Sequence, residues 1–262
     1  MLPKVLLVLT FASLVLGGPS RLQLRAGERL IIGGIEATVG EIPWQVSIQS
    51  TSGIHLCGGT IISNDFIVTS AYCSAFEPSS YKVISGTLEA AHPGSTHDVT
   101  EIFSHADYNE TTSENDISIW RVNPPFTFDA NTNAIKLPTQ SVESIPGTLM
   151  TISGWGYTSA TTPYSDVLLK VEEPIVSKSD CNTVYSSSGG IALNVICAGF
   201  PGSNVGACIR DTGGPLFLNG ELRGIFNGLG CDFPVATYPD QFTEVSAYRD
   251  WINQITNWSL NK

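Results

Sequence analysis

Residues 206–215 read GACIRDTGGP, which places a cysteine, an acid, a hydroxyl residue and a Gly-Gly-Pro turn close together. Loops of this composition present a nucleophilic serine in acyl-transfer enzymes. In this chain the hydroxyl belongs to Thr212, and Arg210 lies two positions before it. The stretch therefore predicts either an active-site loop or a former one, and residues elsewhere have to decide between the two.

The chain around this loop is predicted to consist mainly of short strands. Apolar and polar residues alternate in PWQVSIQS (43–50) with the period of a half-buried strand. Further β-rich runs are FIVTSAYC (66–73), TLMTISGWG (148–156), VLLKVEEPIV (167–176) and LRGIFNGLG (222–230). Only the region from Tyr248 to Trp258 has helical spacing, with Ser246 as its expected N-cap. These patterns predict an all-β protein with one C-terminal helix.

The N-terminus has the features of a secretory signal peptide. Lys4 precedes an apolar run from Val5 to Leu16, which is followed by small residues, and we expect cleavage after Gly17. The run is too short to span a bilayer. Residues 18–30 then form a short, mostly basic pro-segment. The expected product is secreted and extracellular, with no membrane partner.

Composition narrows the function further. The net charge of −11 argues against nucleic acid as a partner and fits either a basic protein partner or simple solubility. No cluster of cysteine and histidine has the spacing of a zinc site, so neither a metal nor another cofactor is expected. The even number of cysteines in an exported chain predicts disulfides but leaves their pairing open. These cysteines are Cys57, Cys73, Cys181, Cys197, Cys208 and Cys231.

Eight short motifs occur in one order along the chain. They are IIGG (31–34), PWQVSI (43–48), CGGTII (57–62), VTSAYC (68–73), NDISI (115–119), SGWG (153–156), CAGF (197–200) and DTGGP (211–215). In order and spacing they resemble the trypsin-like, chymotrypsin-fold serine proteases over residues 31–258. SGWGY and VSKSDCNTVYS are most similar to the digestive trypsins of mites, the group 3 mite allergens.

The resemblance implies a fold and a disulfide set. Two six-stranded antiparallel β-barrels are expected within a domain spanning 31–262, with the boundary between them near residue 137 and a cleft between the barrels. The implied disulfide pairs are Cys57–Cys73, Cys181–Cys197 and Cys208–Cys231.

The resemblance also assigns the catalytic positions, and two of the three are altered. Tyr72 stands in place of the catalytic histidine, Thr212 in place of the serine, and Asp116 is retained as the orienting acid. A phenol is protonated at neutral pH and cannot accept the nucleophile's proton as imidazole does. We expect the ring of Tyr72 to fill the cleft and its hydroxyl to donate a hydrogen bond to Asp116.

The substrate-binding positions differ from the family as well. Arg210 replaces the glycine of the oxyanion loop, and its side chain is expected to project over the cleft. Asn227, Gly228 and Leu229 match the segment that pairs with substrate backbone, where Leu229 should narrow the mouth of the specificity pocket. Gly206 lies at the position of the pocket-floor acid, and Asp240 matches a second floor position that can supply the negative charge.

The residues involved in activation match the family only in part. The resemblance implies that the amine of Ile31, once freed, meets Asp211, and both residues are present. The bond to be cut, however, follows Leu30 rather than a basic residue. His55 matches the histidine that holds this aspartate in uncleaved precursors.

The changes at base, nucleophile, oxyanion loop and pocket mouth together predict a pseudoprotease, which is not an enzyme and works as a monomer by binding protein partners. It resembles the inactivated protease paralogues of scabies mites, which implies host complement components as partners. Two alternatives are a weakly active endopeptidase that uses Thr212 and a decoy for protease inhibitors. Asn109 and Asn257 lie in N-glycosylation sequons.

Overall fold

The first of two β-barrels is formed by the N-terminal half of the domain. The structure, a computed structural model, describes residues 31, 33–91, 94–158, 164–200, 202, 205–229 and 238–260, so the expected signal peptide and pro-segment lie outside it. The strands of this half are β1 (Ile35–Glu36), β2 (Gln45–Ser50), β3 (His55–Ile61), β4 (Phe66–Thr69), β5 (Tyr81–Ser85), β6 (Ser95–Ser104) and β7 (Ser118–Asn123). Strands β2 to β7 close a six-stranded antiparallel barrel in the order β2-β3-β4-β7-β6-β5.

The second barrel follows a long connection. Its strands are β8 (Leu149–Gly154), β9 (Leu169–Val176), β10 (Val195–Ala198), β11 (Pro215–Leu218), β12 (Glu221–Phe226) and β13 (Asp240–Glu244). They run in the order β9-β10-β13-β12-β11-β8, and pairing of β8 with β9 closes the barrel. Strand β1 pairs with the first two residues of β9, Leu169 and Lys170. The two six-stranded antiparallel barrels expected from the family resemblance are therefore confirmed.

Each barrel encloses its own apolar core, and a third cluster joins the two. Val46, Ile48 and Trp120 are buried inside the first barrel, and Ile152 and Phe242 inside the second. The third cluster combines buried residues of both halves: Phe66, Val68, Ile117, Ile119, Trp155, Leu222, Ile225, Tyr248 and Ile252. Burial of one such side chain stabilises the fold by about 1.5–3 kcal/mol, so this shared cluster stabilises the contact between the barrels.

Two helices are present in the described residues, one more than the sequence patterns predict. Helix α1 (Lys178–Val184) is short and begins after Ser177, whose side chain accepts a hydrogen bond from the amide of Asp180. Helix α2 (Arg249–Leu260) is the expected C-terminal helix. The predicted N-cap Ser246 is wrong, because a 3-10 turn over Val245–Tyr248 precedes α2 and contains this residue.

Two disulfides lie in the described residues, Cys57–Cys73 and Cys181–Cys197. The third implied pair contains Cys231, which lies outside them. Neither helix of the described part is long and apolar enough to cross a membrane.

Candidate active site

Tyr72 and Thr212, to which the resemblance assigns the positions of base and nucleophile, line one cleft of about 490 Å³ between the barrels. Tyr72 lies in a 3-10 turn (Ala71–Ser74) after β4, Asp116 lies just before β7, and Thr212 lies in the turn that leads into β11. The cleft is lined by Leu56, Tyr72, Tyr108, Glu110, Ser113, Ile209, Arg210, Thr212, Asn227, Gly228 and Leu229. The fold thus brings the two altered positions to one surface, with Asp116 buried beneath it at 1% exposure.

Asp116 is satisfied without an imidazole. The Ser70 hydroxyl lies 2.7 and 2.6 Å from its two carboxylate oxygens, and the backbone amide of Tyr72 donates to it at 2.9 Å. Burial raises its pKa to about 6, although the hydrogen bonds from Ser70 and the backbone oppose the shift. The expected bond from the Tyr72 hydroxyl is therefore wrong, since the structure supplies the amide of Tyr72 and the hydroxyl of Ser70 instead.

The ring of Tyr72 does not fill the cleft. Its side chain is 57% exposed and separates the cleft from an adjoining groove of about 610 Å³. Leu56, Tyr108 and Glu110 line both depressions with it. The expectation of a plugged cleft is wrong because the turn that carries Tyr72 directs its amide, not its ring, toward the buried acid.

Arg210 likewise departs from its expected position. Its guanidinium donates to the backbone carbonyl of His55 at 2.7 Å and lies over the rings of Tyr157 and Tyr164, 5.7 and 5.2 Å from their centres. These cation–π contacts hold the side chain against the loop that carries both tyrosines. The guanidinium therefore does not project over the cleft as predicted.

The backbone at Arg210 keeps the form of a tight turn. Its φ of +75° lies in the left-handed region, and the amide of Asp211 donates to the carbonyl of Cys208 at 2.9 Å. A residue other than glycine is strained there. Among the described residues, no protein group accepts a hydrogen bond from the amides of Arg210 or Thr212. The two amides that would form an oxyanion hole are thus left without protein partners.

His55 is buried at the start of β3 and holds this turn. One ring nitrogen lies 2.7 Å from the Ser47 hydroxyl and the other 3.0 Å from the carbonyl of Arg210. Burial lowers its pKa to about 4, so the ring is neutral at physiological pH. The resemblance implies that His55 holds Asp211, but the ring contacts the carbonyl of the preceding residue instead.

Asp211 points into the second barrel. Its carboxylate accepts hydrogen bonds from the amides of Gly156 at 2.7 Å and Cys208 at 3.0 Å. Burial raises its pKa to about 7, because these two bonds compensate the desolvation only in part. Ile31, the implied partner after cleavage, is also buried. A carboxylate with this environment favours the approach of a cation.

Two buried acids lie close to Gly206 in the second barrel. A Cβ built on Gly206 would approach Asp240 Oδ2 to 2.8 Å, so the two residues to which the resemblance assigns the pocket floor are neighbours in the fold. The same Cβ would lie 3.4 Å from Glu173 Oε1. Glu173 was not predicted as a site residue. Its alternation with Leu169 and Ile175 in β9 places it on the inward face, and this period is the signal by which the sequence could have revealed it.

Asn227, Gly228 and Leu229, which the resemblance matches to the substrate-pairing segment, make contacts within this part of the fold. The backbone amide of Leu229 donates to the Asn227 side-chain oxygen at 3.1 Å, and the side-chain nitrogen Nδ2 of Asn227 is buried without a hydrogen-bond partner among the described residues. Gly228 packs on Thr212, since a Cβ there would lie 2.9 Å from the threonine hydroxyl. Leu229 is 42% exposed and lines the cleft, while its place at a pocket mouth stays a prediction.

Comparison with known proteins agrees with this architecture. The family model described as Trypsin matches residues 31–252. The chain belongs to the trypsin family. Among its relatives is Trypsin Blo t 3 of Blomia tropicalis, with 37% identity over 95% of this chain and 97% of the relative. Others are Trypsin 5G1 of Aedes aegypti (32%, 89% and 87%) and the vitellin-degrading protease of Bombyx mori (33%, 98% and 96%).

One sequon of this trypsin-family chain lies beside the cleft. Asn109 is exposed, its side-chain oxygen accepts from the amides of Thr111 and Thr112, and its neighbours Tyr108 and Glu110 line the cleft. Asn257, in the other sequon, is also exposed, on α2.

We expect an N-glycan on Asn109 when insect cells secrete the protein. Intact mass should fall by one glycan in Thr111→Ala, while Ser259→Ala reports on the other sequon independently. Equal masses of wild type and Thr111→Ala would contradict occupancy at the cleft.

Proposed function

We propose that this trypsin-family chain is a secreted pseudoprotease that acts by binding protein partners. The observation that carries the proposal is the pairing of Tyr72 and Thr212 at the positions of base and nucleophile in the cleft. A phenol is a poor proton acceptor at neutral pH, and threonine nucleophiles that work elsewhere use their own N-terminal amine as base. Thr212 is internal and has no such amine.

The described histidines do not replace the missing base. His55 is bonded at both ring nitrogens to Ser47 and Arg210. His97 is bonded at both to Ser85 and Pro124, and His105 packs on aromatic rings beside α2. None of these three lines the cleft. His92 lies outside the described residues. No described histidine is therefore placed to act as a general base for Thr212.

A kinetic comparison with a nucleophile-free variant tests the proposal. We expect the purified protein, cut after Leu30, to hydrolyse fluorogenic arginine and lysine peptides no faster than Thr212→Ala does. A serine-directed phosphonate should label neither protein, as read by intact mass. Turnover that disappears in Thr212→Ala, or a phosphonate adduct on Thr212, would establish the weak endopeptidase instead.

The partner side of the proposal is tested by direct binding. The resemblance to the inactivated scabies mite paralogues directs the search to purified complement proteins of a host, measured by surface plasmon resonance. Binding through surface loops should persist in Thr212→Ala and in Tyr72→Phe. Loss in both variants would place the interface in the cleft, and micromolar or tighter binding of a protease inhibitor loop would favour the decoy function.

A further inference from the structure

A groove of about 510 Å³ lies on the second barrel. It is lined by residues of strands β8, β9 and β11 and by residues 33–35 and 41–42. It shares no lining residue with the cleft that holds Tyr72 and Thr212. A cavity of this size can hold several side chains of a peptide, so it is a candidate docking site separate from the cleft.

The groove presents apolar surface to solvent. Ile35 lines it and is 65% exposed, while Ile42 and Phe217 line it at 6% and 8% exposure. An edge-on contact with Trp44 holds the ring of Phe217, and the two ring centres lie 5.1 Å apart. Covering Ile35 with an apolar segment would remove its exposed area from water, which is favourable.

The polar groups of the groove leave it with a net negative charge. Lys170 and Glu41 form an ion pair, and Glu172 is the remaining charged residue of the lining. In the described part of the chain, the side chains of Thr151, Glu172 and Asn219 have no hydrogen-bond or ion-pair partner. The groove therefore favours an occupant that is positively charged and donates hydrogen bonds.

The pro-segment, residues 18–30, has the complementary composition. It contains Arg21, Arg25 and Arg29 against the single acid Glu28, although the chain as a whole is acidic. In its stretch RLQLR (21–25) two leucines alternate with polar residues, which is the period of an extended chain with one apolar face. Such a stretch can turn its leucines toward an apolar surface while its long arginine side chains reach a carboxylate at the rim.

The pro-segment is also joined to the chain beside the groove. Gly33 and Gly34 line the groove, and the amide of Gly34 donates to the carbonyl of Ile31 at 2.7 Å, so the chain turns over residues 31–34. Residues 26–30 can span up to about 17 Å, and Gly27 permits a bend among them. This length is sufficient for RLQLR to fold back over the groove.

We propose that the pro-segment of the uncut chain docks in this groove, with the leucines of RLQLR on its apolar surface and an arginine on Glu172. The contact is intramolecular, and a tethered segment acts at an effective concentration in the millimolar range, so a weak contact is sufficient. A cut after Leu30 breaks the tether and uncovers the groove. The inference goes beyond the proposed function, because it does not depend on the chemistry at Thr212.

A synthetic peptide of residues 18–30 tests the docking in trans. Fluorescence anisotropy of the labelled peptide should show saturable binding to the chain that has been cut after Leu30 and freed of its own pro-segment. The uncut chain should bind this peptide at least about tenfold more weakly, because its own segment occupies the groove. A peptide with Leu22→Ser and Leu24→Ser should also bind at least about tenfold more weakly, because it buries less apolar area.

Glu172→Lys tests the groove from the protein side. It places a cation where an arginine of the peptide is expected and should weaken binding to the cut chain at least about tenfold, whereas Glu172→Gln should weaken it about threefold. Glu77→Lys is the matched control, because Glu77 is an exposed acid between β4 and β5 that lines neither the groove nor the cleft. It changes the net charge equally and should bind like the wild type. Thermal unfolding of each variant verifies that it is folded.

Three results would overturn the proposal: no saturable binding of the peptide to the cut chain, equal binding by the cut and uncut chains, or equal affinities of Glu172→Lys and Glu77→Lys. Sedimentation of the cut chain adds a fourth, because a dimer that Glu172→Lys dissociates would assign the groove to a second copy instead. None of them bears on the turnover and labelling tests at Thr212, so failure of this docking and failure of the pseudoprotease proposal are distinguishable.

Discussion

Replacing Tyr72 by histidine and Thr212 by serine is expected to raise peptide cleavage by about 10²- to 10⁴-fold over the wild-type chain, the range that a positioned general base contributes. Imidazole at position 72 would supply the base, and Asp116 is already placed to accept from the backbone of that residue. The comparison requires a chain cut after Leu30, so that the amine of Ile31 is free. Cleavage is measured as kcat/KM with fluorogenic arginine peptides at pH 8.

The loop that would bind the oxyanion of the reaction, residues 210–212, favours this gain in cleavage rate. The amides of Arg210 and Thr212 donate to no protein group in the described residues, and the Arg210 guanidinium is held by the His55 carbonyl and two tyrosine rings. The turn is therefore already formed, despite a residue with a side chain at a left-handed position. Loss of the two amide donors would reduce the cleavage rate far more than the Arg210 side chain does in its present position.

Two further variants separate the remaining obstacles. Ser70→Ala removes the hydroxyl that bonds both oxygens of Asp116, so it should improve orientation of the new imidazole by about tenfold in kcat/KM. Asn227→Ser frees the amide of Leu229 for substrate. Tyr72→His with Thr212→Ala is the nucleophile-free control. If the double variant stays inert and adding Arg210→Gly restores activity, Arg210 and not the triad is the main block.

Much of the fold was predictable because its determinants are local. Alternation of apolar and polar residues in runs such as 43–50 and 167–176 predicts strands. The spacing of the family motifs predicts the order in which these strands form the two barrels. The direction of Arg210 was not predictable, because its acceptor lies 155 residues away at His55 and its aromatic contacts lie in another loop. A long flexible side chain takes its direction from such distant partners, and no local pattern encodes them.

The partners of Asp116 and Glu173 show the same limit at shorter range. Ser70 lies two positions before Tyr72 in VTSAYC. The sequence could therefore have predicted that the Ser70 hydroxyl donates to Asp116 in place of an imidazole. Glu173 sits on an inward position of a strand where the hydrophobic pattern predicts an apolar residue. The period of β9 indicates that Glu173 is buried, but only the fold shows that it lies beside Gly206 and Asp240, which come from two other segments.

The buried acids predict that the uncut chain loses stability as pH rises. Burial raises the pKa of Asp211 to about 7 and of Glu173 to about 8, and it raises the pKa of Asp240 in the same direction. An unfolded acid titrates near pH 4. Between pH 4 and the pKa values of the folded acids, the folded state therefore binds more protons than the unfolded state. Stability contributed by the protonated acids is therefore lost progressively until pH passes their folded pKa values.

The buried histidines decide the pH above which the loss of stability is expected to be seen. Burial lowers the pKa of His55 to about 4 and also lowers that of His97, so their contribution to stability increases as pH rises toward 6.5. Below pH 6.5 this gain in stability opposes the loss caused by the buried acids. Above pH 6.5 the histidines add no further change. Between pH 6.5 and 9 the free energy of unfolding should fall on the order of 3 kcal/mol, given ~1.4 kcal/mol per unit of pKa difference.

Urea unfolding at pH 6.5, 7.5 and 9 measures this loss, with disulfides intact. Glu173→Gln should flatten the decline, because the neutral amide removes one titrating group and relieves Asp240 as well. Glu172→Gln, on the exposed face of the same strand, should leave the decline unchanged. Stability that is constant or rises from pH 6.5 to 9 in the wild type would contradict the prediction and show that these carboxyls are already ionised in the folded chain.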